Sequence, residues 1–179
     1  VVHGIPDKHR IIQEGDIVSL DAGVIYKGYH SDAARTHAVG EVSEEAKKLI
    51  QVTKESFFEG IKFAKAGNHL FDISGAIGRY AEERGYGVVR DLCGHGIGTA
   101  LHEAPEIPNY EVGRKGVRLR PGMTLAIEPM INIGTHEVDW LDDDWTVVTR
   151  DGSLSAHYEN TILITEGEPR ILSLTCENE

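Results

Sequence analysis

The chain has 179 residues, 40% of them hydrophobic, and a formal net charge of −11, which suffices for one domain with a real core. No apolar run reaches the roughly 18 residues of a membrane span, no signal-peptide pattern opens the chain, and the negative balance argues against nucleic acid or an acidic membrane as partner. Two cysteines, Cys93 and Cys176, make no disulfide framework, so a reduced, cytoplasmic setting is expected.

Val1–Pro6 is apolar around His3 and leads into a turn at Ile5-Pro6-Asp7. From Asp16 to Gly40 the pattern predicts two strands joined by a two-residue turn at Lys27-Gly28. In that register Tyr26 faces Tyr29, Gly23 faces Asp32, and Asp21 faces Ala34. Side chains alternate with a period of two, so Asp21 and Asp32 point the same way as diagonal neighbours, roughly 7–8 Å apart at the backbone. Two carboxylates so placed can converge on a cation, or simply line a solvated face.

The period then changes. Ala46, Leu49, Ile50, Thr53, Phe57, Ile61 and Ala64 predict a helix over 43–66, with Ser43 as its N-cap and Glu44 and Glu45 in its first turn. A second helix is predicted from Asp72, as cap, to Gly85. Both read as amphipathic covers for a sheet. Beyond Tyr86 the chain reads as strand and loop: a strand over 88–92, a glycine-rich loop over 93–98, an irregular stretch over 101–116, and a strand over 123–133. Strands over 145–149 and 155–165 look joined through Asp151-Gly152, a hairpin signal. A short strand over 170–174 closes the list. Asp142–Asp144 reads as a solvated acidic loop. The fold class is α+β, one domain with an antiparallel sheet and its helices on one side.

Several residues could carry chemistry. His95 lies in Gly94-His95-Gly96-Ile97-Gly98, where glycines leave the backbone free to bend and the imidazole unobstructed. A Walker loop is excluded, because no Lys-Ser/Thr and no helix start follow. His102 is close enough in sequence to share a site with His95, though alone it reads as a surface histidine. Glu128, in Ala126-Ile127-Glu128-Pro129-Met130, and Glu159, in His157-Tyr158-Glu159-Asn160-Thr161, sit among apolar residues. A bare buried charge is costly by several kcal/mol, so each needs a partner, either a salt bridge or a cation. Two aspartates, one histidine and two glutamates have the composition of a two-metal hydrolase site, with cations about 3.5–4 Å apart. Oxygen-rich ligation suits Mn²⁺, Fe²⁺ or Co²⁺, with Zn²⁺ also open.

The ordered set His3-Gly4-Ile5-Pro6, Leu20-Asp21 with Ser31-Asp32, Cys93 to Gly98 with His102-Glu103, Ile127-Glu128-Pro129-Met130 and Tyr158-Glu159-Asn160-Thr161 resembles type I methionine aminopeptidases. The match runs through essentially the whole chain. The resemblance implies the pita-bread fold, a curved, pseudo-twofold antiparallel sheet with helices on its outer face. It implies removal of N-terminal methionine from peptides and nascent chains by metal-activated water. It further implies two divalent ions (Co, Mn, Fe, Ni or Zn) held by Asp21, Asp32, His95, Glu128 and Glu159, with Asp32 and Glu159 bridging. Glu128 would take the proton of the attacking water, His102 would stabilise the tetrahedral intermediate, and His3 would lie near the scissile amide. Cys93 and Trp145 are candidates for the methionine side-chain pocket. A monomer is expected.

Two departures stand out. Most of the family have Gln where this chain has His157, which places an extra imidazole near Glu159. Family members also extend upstream of Val1, so the resemblance implies a single catalytic domain, residues 1–179, lacking an N-terminal segment that completes the methionine pocket, and weak turnover without it. The rivals are a prolidase or aminopeptidase P acting on X-Pro peptides, which usually has an arginine just before the final glutamate, and a non-catalytic pita-bread binding module, which would have lost ligands.

Overall fold

The opening hairpin forms in the predicted register. β1 (Ile17–Tyr26) and β2 (Tyr29–Ala38) pair antiparallel, with Asp21 opposite Ala34, Gly23 opposite Asp32 and Tyr26 opposite Tyr29. Lys27 and Gly28 both have positive φ, 51° and 84°, as a two-residue type I′ turn requires. The computed structural model describes residues 1–174, so Cys176 lies outside the described residues.

Helix α1 (Glu44–Ile61) starts where predicted: the Ser43 hydroxyl accepts the Ala46 N–H at 3.1 Å, satisfying one of the free amides of the first turn. It stops short of Ala66, in turns at 63–68. Helix α2 (Leu70–Glu82) begins earlier than predicted. His69 occupies the cap position, and Asp72 is the third helical residue, its carboxylate accepting the His69 N–H at 2.8 Å. Starting three residues sooner puts Leu70 into the core, where it is fully buried.

Ten further strands follow among the described residues: β3 (Gly87–Val88), β4 (Gly94–Gly96), β5 (Glu103–Ile107), β6 (Thr124–Ile127), β7 (Met130–Asn132), β8 (Val138–Trp140), β9 (Val147–Thr149), β10 (Ser155–His157), β11 (Asn160–Leu163) and β12 (Arg170–Ile171). They form a five-stranded sheet in the order β12-β11-β6-β4-β5, a three-stranded sheet β10-β7-β3 and the pair β8-β9. Every pairing is antiparallel. No helix among the described residues is long and apolar enough to cross a membrane.

The sequence expectations fail at five places here. The expected loop over 93–98 contains β4, an internal strand, and the irregular stretch over 101–116 contains β5. The single strands expected over 123–133 and 155–165 are each broken in two, with halves in different sheets. Asp151-Gly152 makes a turn, but its flanking strands do not pair: β9 pairs with β8 and β10 with β7.

Phe57, Leu70, Ile73 and Ile77 of the helices pack on Ile107, Leu125, Ile127 and Ile162 of the five-stranded sheet. Leu49 and Ala81 pack on Val88, Ile131 and Ala156 of the three-stranded sheet. Both helices therefore cover the same side. On the 158–164 segment, Tyr158, Ile162 and Ile164 join this core. Glu159 and Thr161, alternating with them, are left to the opposite face.

Candidate metal centre

The two strand breaks create the site. Glu128-Pro129 separates β6 from β7, and Tyr158-Glu159 separates β10 from β11. Because β6 pairs with β11 and β7 with β10, the two breaks lie side by side, and the Tyr158 N–H donates to the Pro129 carbonyl at 3.2 Å. Proline has no N–H to continue the ladder. The backbone therefore swings from one sheet to the other there, and the adjacent Glu128 turns inward. The Asn109 amide supports this bend by donating to the Glu128 carbonyl at 3.1 Å.

The hairpin is laced to the second break. Glu159 N–H donates to the Ala34 carbonyl at 2.9 Å. The Thr161 hydroxyl accepts from the Asp32 N–H at 2.8 Å and donates to the Asp32 carbonyl at 3.0 Å. The Arg35 guanidinium lies over the Tyr158 ring, 4.1 Å from its centroid, and donates to the carbonyls of Ala34 and Glu159 and to Asn160 Oδ1. A planar fork can bind three acceptors at once, and here it pins β2 against 159–160.

His95 comes from β4. Gly94 and Gly96 on either side serve close approach, not bending: a Cβ on Gly94 would sit 2.4 Å from the Ala126 carbonyl oxygen, and one on Gly96 2.3 Å from that of Ala104. His95 Nδ1 is 2.9 Å from the Gly96 carbonyl. A carbonyl can only accept, so Nδ1 carries the proton and Nε2 presents its lone pair. Nε2 lies 3.4 Å from Glu128 Oε1.

Donor atoms of Asp32, His95 and Glu159 lie within 4.8 Å of one another, as do those of Glu128, His157 and Glu159. Glu159 belongs to both groups. Asp21 adjoins them at the more open rim, facing Asp32, Glu128 and His157. The structure thus brings four of the five residues singled out as ligands into two donor groups, and adds His157; Asp21 lies beside Asp32, outside both groups.

Burial pushes the Glu159 carboxyl up to about 10, with Glu128, Asp32 and Asp21 reinforcing the shift. Burial likewise pushes Glu128 up to about 8, opposed by His95 and assisted by Asp32. Asp21 keeps part of its surface in solvent and rises less, to about 6, chiefly by desolvation. Desolvation lowers fully enclosed His157 to about 4, so its ring is neutral at pH 7. Glu159 Oε1 and His157 Nε2 are buried without hydrogen-bond partners. Buried carboxylates this crowded resist ionising together, and orphaned polar atoms call for a missing partner. A divalent cation supplies both needs, and the oxygen-rich set with imidazole suits Mn²⁺, Fe²⁺, Co²⁺ or Zn²⁺.

Beside these residues opens a cleft of about 640 Å³. His3, Cys93, His95, His102 and Glu128 line it, with an apolar wall of Val2, Leu92 and Met130. The His95 and His102 rings are 4.3 Å apart between centroids. Cys93 is half-buried, and its thiol is pushed up by burial and by Glu106, so it stays protonated. Trp145 does not line the cleft: it is 55% exposed and stacks on His3 at 4.9 Å, reaching the site only through that ring. Arg35, Asn109, Thr161 and Met130 escaped the sequence reading. Thr161 had a signal, being two residues beyond Glu159 and so on the same face. Arg35 and Asn109 had none, since their partners are distant in sequence.

The chain as a whole has counterparts among known proteins. Residues 1–166 match the model of metallopeptidase family M24. The chain is 60% identical over 177 residues to a methionine aminopeptidase of Clostridium acetobutylicum, covering 99% of this chain and 70% of that protein. It is 52% identical to methionine aminopeptidase 1 of Bacillus subtilis, covering 93% and 66%. The crystal structure of methionine aminopeptidase from Thermotoga maritima superposes with a TM-score of 0.94 at 50% identity, over 97% of this chain and 70% of that one. Prolidase from Pyrococcus furiosus also superposes, with a TM-score of 0.72 at 29% identity, over 92% and 43%. The curved antiparallel sheets with helices on one side are thus the pita-bread fold, and the chain belongs to metallopeptidase family M24, among its type I methionine aminopeptidases.

Proposed function

We propose that the chain is a methionyl aminopeptidase, a metallo-exopeptidase that removes the first residue of peptides and nascent chains beginning with methionine. The observation that carries this reading is the pair of three-residue donor groups that share Glu159 beside a partly apolar cleft. Two divalent ions from among Co, Mn, Fe, Ni and Zn are held by Asp21, Asp32, His95, Glu128 and Glu159. When bound they supply Lewis acidity, activating water and polarising the scissile carbonyl.

The protein's own groups do the rest. Val2, Leu92, Cys93 and Met130 offer the unbranched methionine thioether an apolar wall. Glu128 accepts a proton from the attacking water and returns it to the departing amide nitrogen. His102 donates a ring N–H to the oxygen that becomes negative during attack. His3, held against Trp145, lines the same cleft and approaches the same amide. All of these residues come from one chain, so a monomer suffices, and the free Cys93 thiol suits the reducing cytoplasm.

The test compares Met-Ala-Ser with X-Pro peptides on protein whose metal content has been measured. Two ions per chain and cleavage of Met-Ala-Ser are expected, with loss of at least about 10³-fold in kcat/KM for Glu128→Ala. Preference for X-Pro substrates would instead mark a prolidase. Protein that takes up no metal would fit only a binding module.

A further inference from the structure

His157 is the one imidazole at the centre that the family ligand set does not include. Its side chain is 1% exposed, and Nε2 is buried with no hydrogen-bond partner. Nε2 lies 3.5 Å from Glu128 Oε2, too far for a good hydrogen bond. Together with an oxygen of Glu159 these donors fall within 4.8 Å of one another. Ligands bound to one ion at about 2.0–2.2 Å sit roughly 3–3.5 Å apart, so the spacing is that of a donor set around a cation, slightly relaxed. The backbone is fixed as well: the His157 N–H donates to Thr36 Oγ1 at 2.8 Å, and that hydroxyl donates back to the His157 carbonyl at 3.0 Å. A ring so anchored, enclosed and unpartnered is aimed, not merely accommodated.

We propose that His157 is a second imidazole ligand of the metal centre, binding through Nε2 the cation held by Glu128 and Glu159. His95, which groups with Asp32 and Glu159 and whose Nε2 also lies 3.4 Å from Glu128, is the first. The centre then has two nitrogen donors among its carboxylates. Imidazole favours Co²⁺, Ni²⁺ and Zn²⁺, whereas carboxylates suffice for Mn²⁺. The inference rests on the metallopeptidase reading above.

The experiment loads the protein with Co²⁺ and counts, by proton NMR, the exchangeable imidazole N–H resonances shifted far outside the normal range by the paramagnetic ion. Two such resonances are expected in the unsubstituted protein, one in H157Q, one in H95Q and two in H102Q. Titration calorimetry should show H157Q binding one Co²⁺ at least about tenfold more weakly, with a smaller change for Mn²⁺. A single shifted resonance in the unsubstituted protein, or two retained in H157Q, overturns the inference and leaves the peptidase reading standing. Failure to bind Co²⁺ at all overturns both. The count in the unsubstituted protein does not depend on any variant folding.

Discussion

At the scale of single residues, Glu159 serves two states with opposite needs. In the metal-loaded protein proposed above its carboxylate would neutralise cations; in the metal-free protein it is a buried acid among other acids. Unfolded, Glu159 and Glu128 release their protons near 4.5; folded, they hold them to about 10 and about 8. The metal-free folded state therefore binds more protons than the unfolded state above pH 4.5, and its stability falls as pH rises. His157 has the opposite sign, since its pKa drops from 6.5 to about 4, but it acts only below pH 6.5. From pH 6.5 to 8 the two glutamates drive the decline, opposed by the buried Val1 ammonium, whose pKa desolvation lowers from 8.0. Each retained proton contributes a decline of up to about 1.4 kcal/mol per pH unit. Urea unfolding of chelated protein should show this decline, and Glu159→Gln, which cannot ionise, should show a clearly shallower one. Equal slopes in both proteins would mean that Glu159 is not protonated when folded. Adding Co²⁺ or Mn²⁺ should raise stability by mass action, more at pH 8 than at pH 6.5, because Glu128 has by then given up part of its proton and the metal displaces fewer.

At the scale of elements, the site is held by strands that approach more closely than strands with ordinary side chains allow. Gly96→Ala would set a methyl 2.3 Å from the Ala104 carbonyl oxygen. Neither atom is the end of a flexible side chain, so β4 and β5 must separate. A loss of about 1–3 kcal/mol is expected, together with weaker metal binding as His95 shifts. Unchanged unfolding midpoint and unchanged metal affinity would show that the strands yield without moving the ring. Glycines around a histidine suggested a bend, and nothing local reveals that a neighbouring carbonyl occupies the space of the missing Cβ. The hairpin, by contrast, was legible to the residue, because a two-residue turn dictates its whole register and both aspartates with it. The first helix was legible at its start, through Ser43, but not at its end. The breaks at Glu128-Pro129 and Tyr158-Glu159 were hidden for different reasons. Pro129 was a visible signal inside an apolar run, whereas Tyr158-Glu159 breaks only because its partner strand does. The grouping of Asp21, Asp32, His95, Glu128 and Glu159 as candidate ligands rests on motif resemblance. Alternation alone would have put Glu128 on the face of Ala126, in a strand that does not continue.

At the scale of the whole molecule, one region stands apart from the packed core. Among the described residues β1 pairs only with β2, so its other edge is open. Leu20, Val24 and Tyr26 alternate along the face of β1 turned away from Asp21, and all three are exposed, as is Tyr29 across the turn. An open edge beside an apolar stripe invites strand pairing and association. The 179-residue chain is therefore expected to be a monomer at high dilution and to self-associate reversibly as concentration rises. Sedimentation velocity over a hundredfold range of concentration measures this directly. The double variant Leu20→Lys, Val24→Lys adds charge to the stripe without touching the metal face, because residues 20 and 24 have the opposite parity to Asp21. It should remain monomeric throughout that range and bind Co²⁺ with the same stoichiometry and affinity as the unsubstituted protein. If the variant associates as strongly as its parent, the hairpin stripe is not the contact. If it loses metal binding, the two faces of the hairpin are not independent, and the register that places Asp21 beside Asp32 depends on packing beyond the β1–β2 ladder.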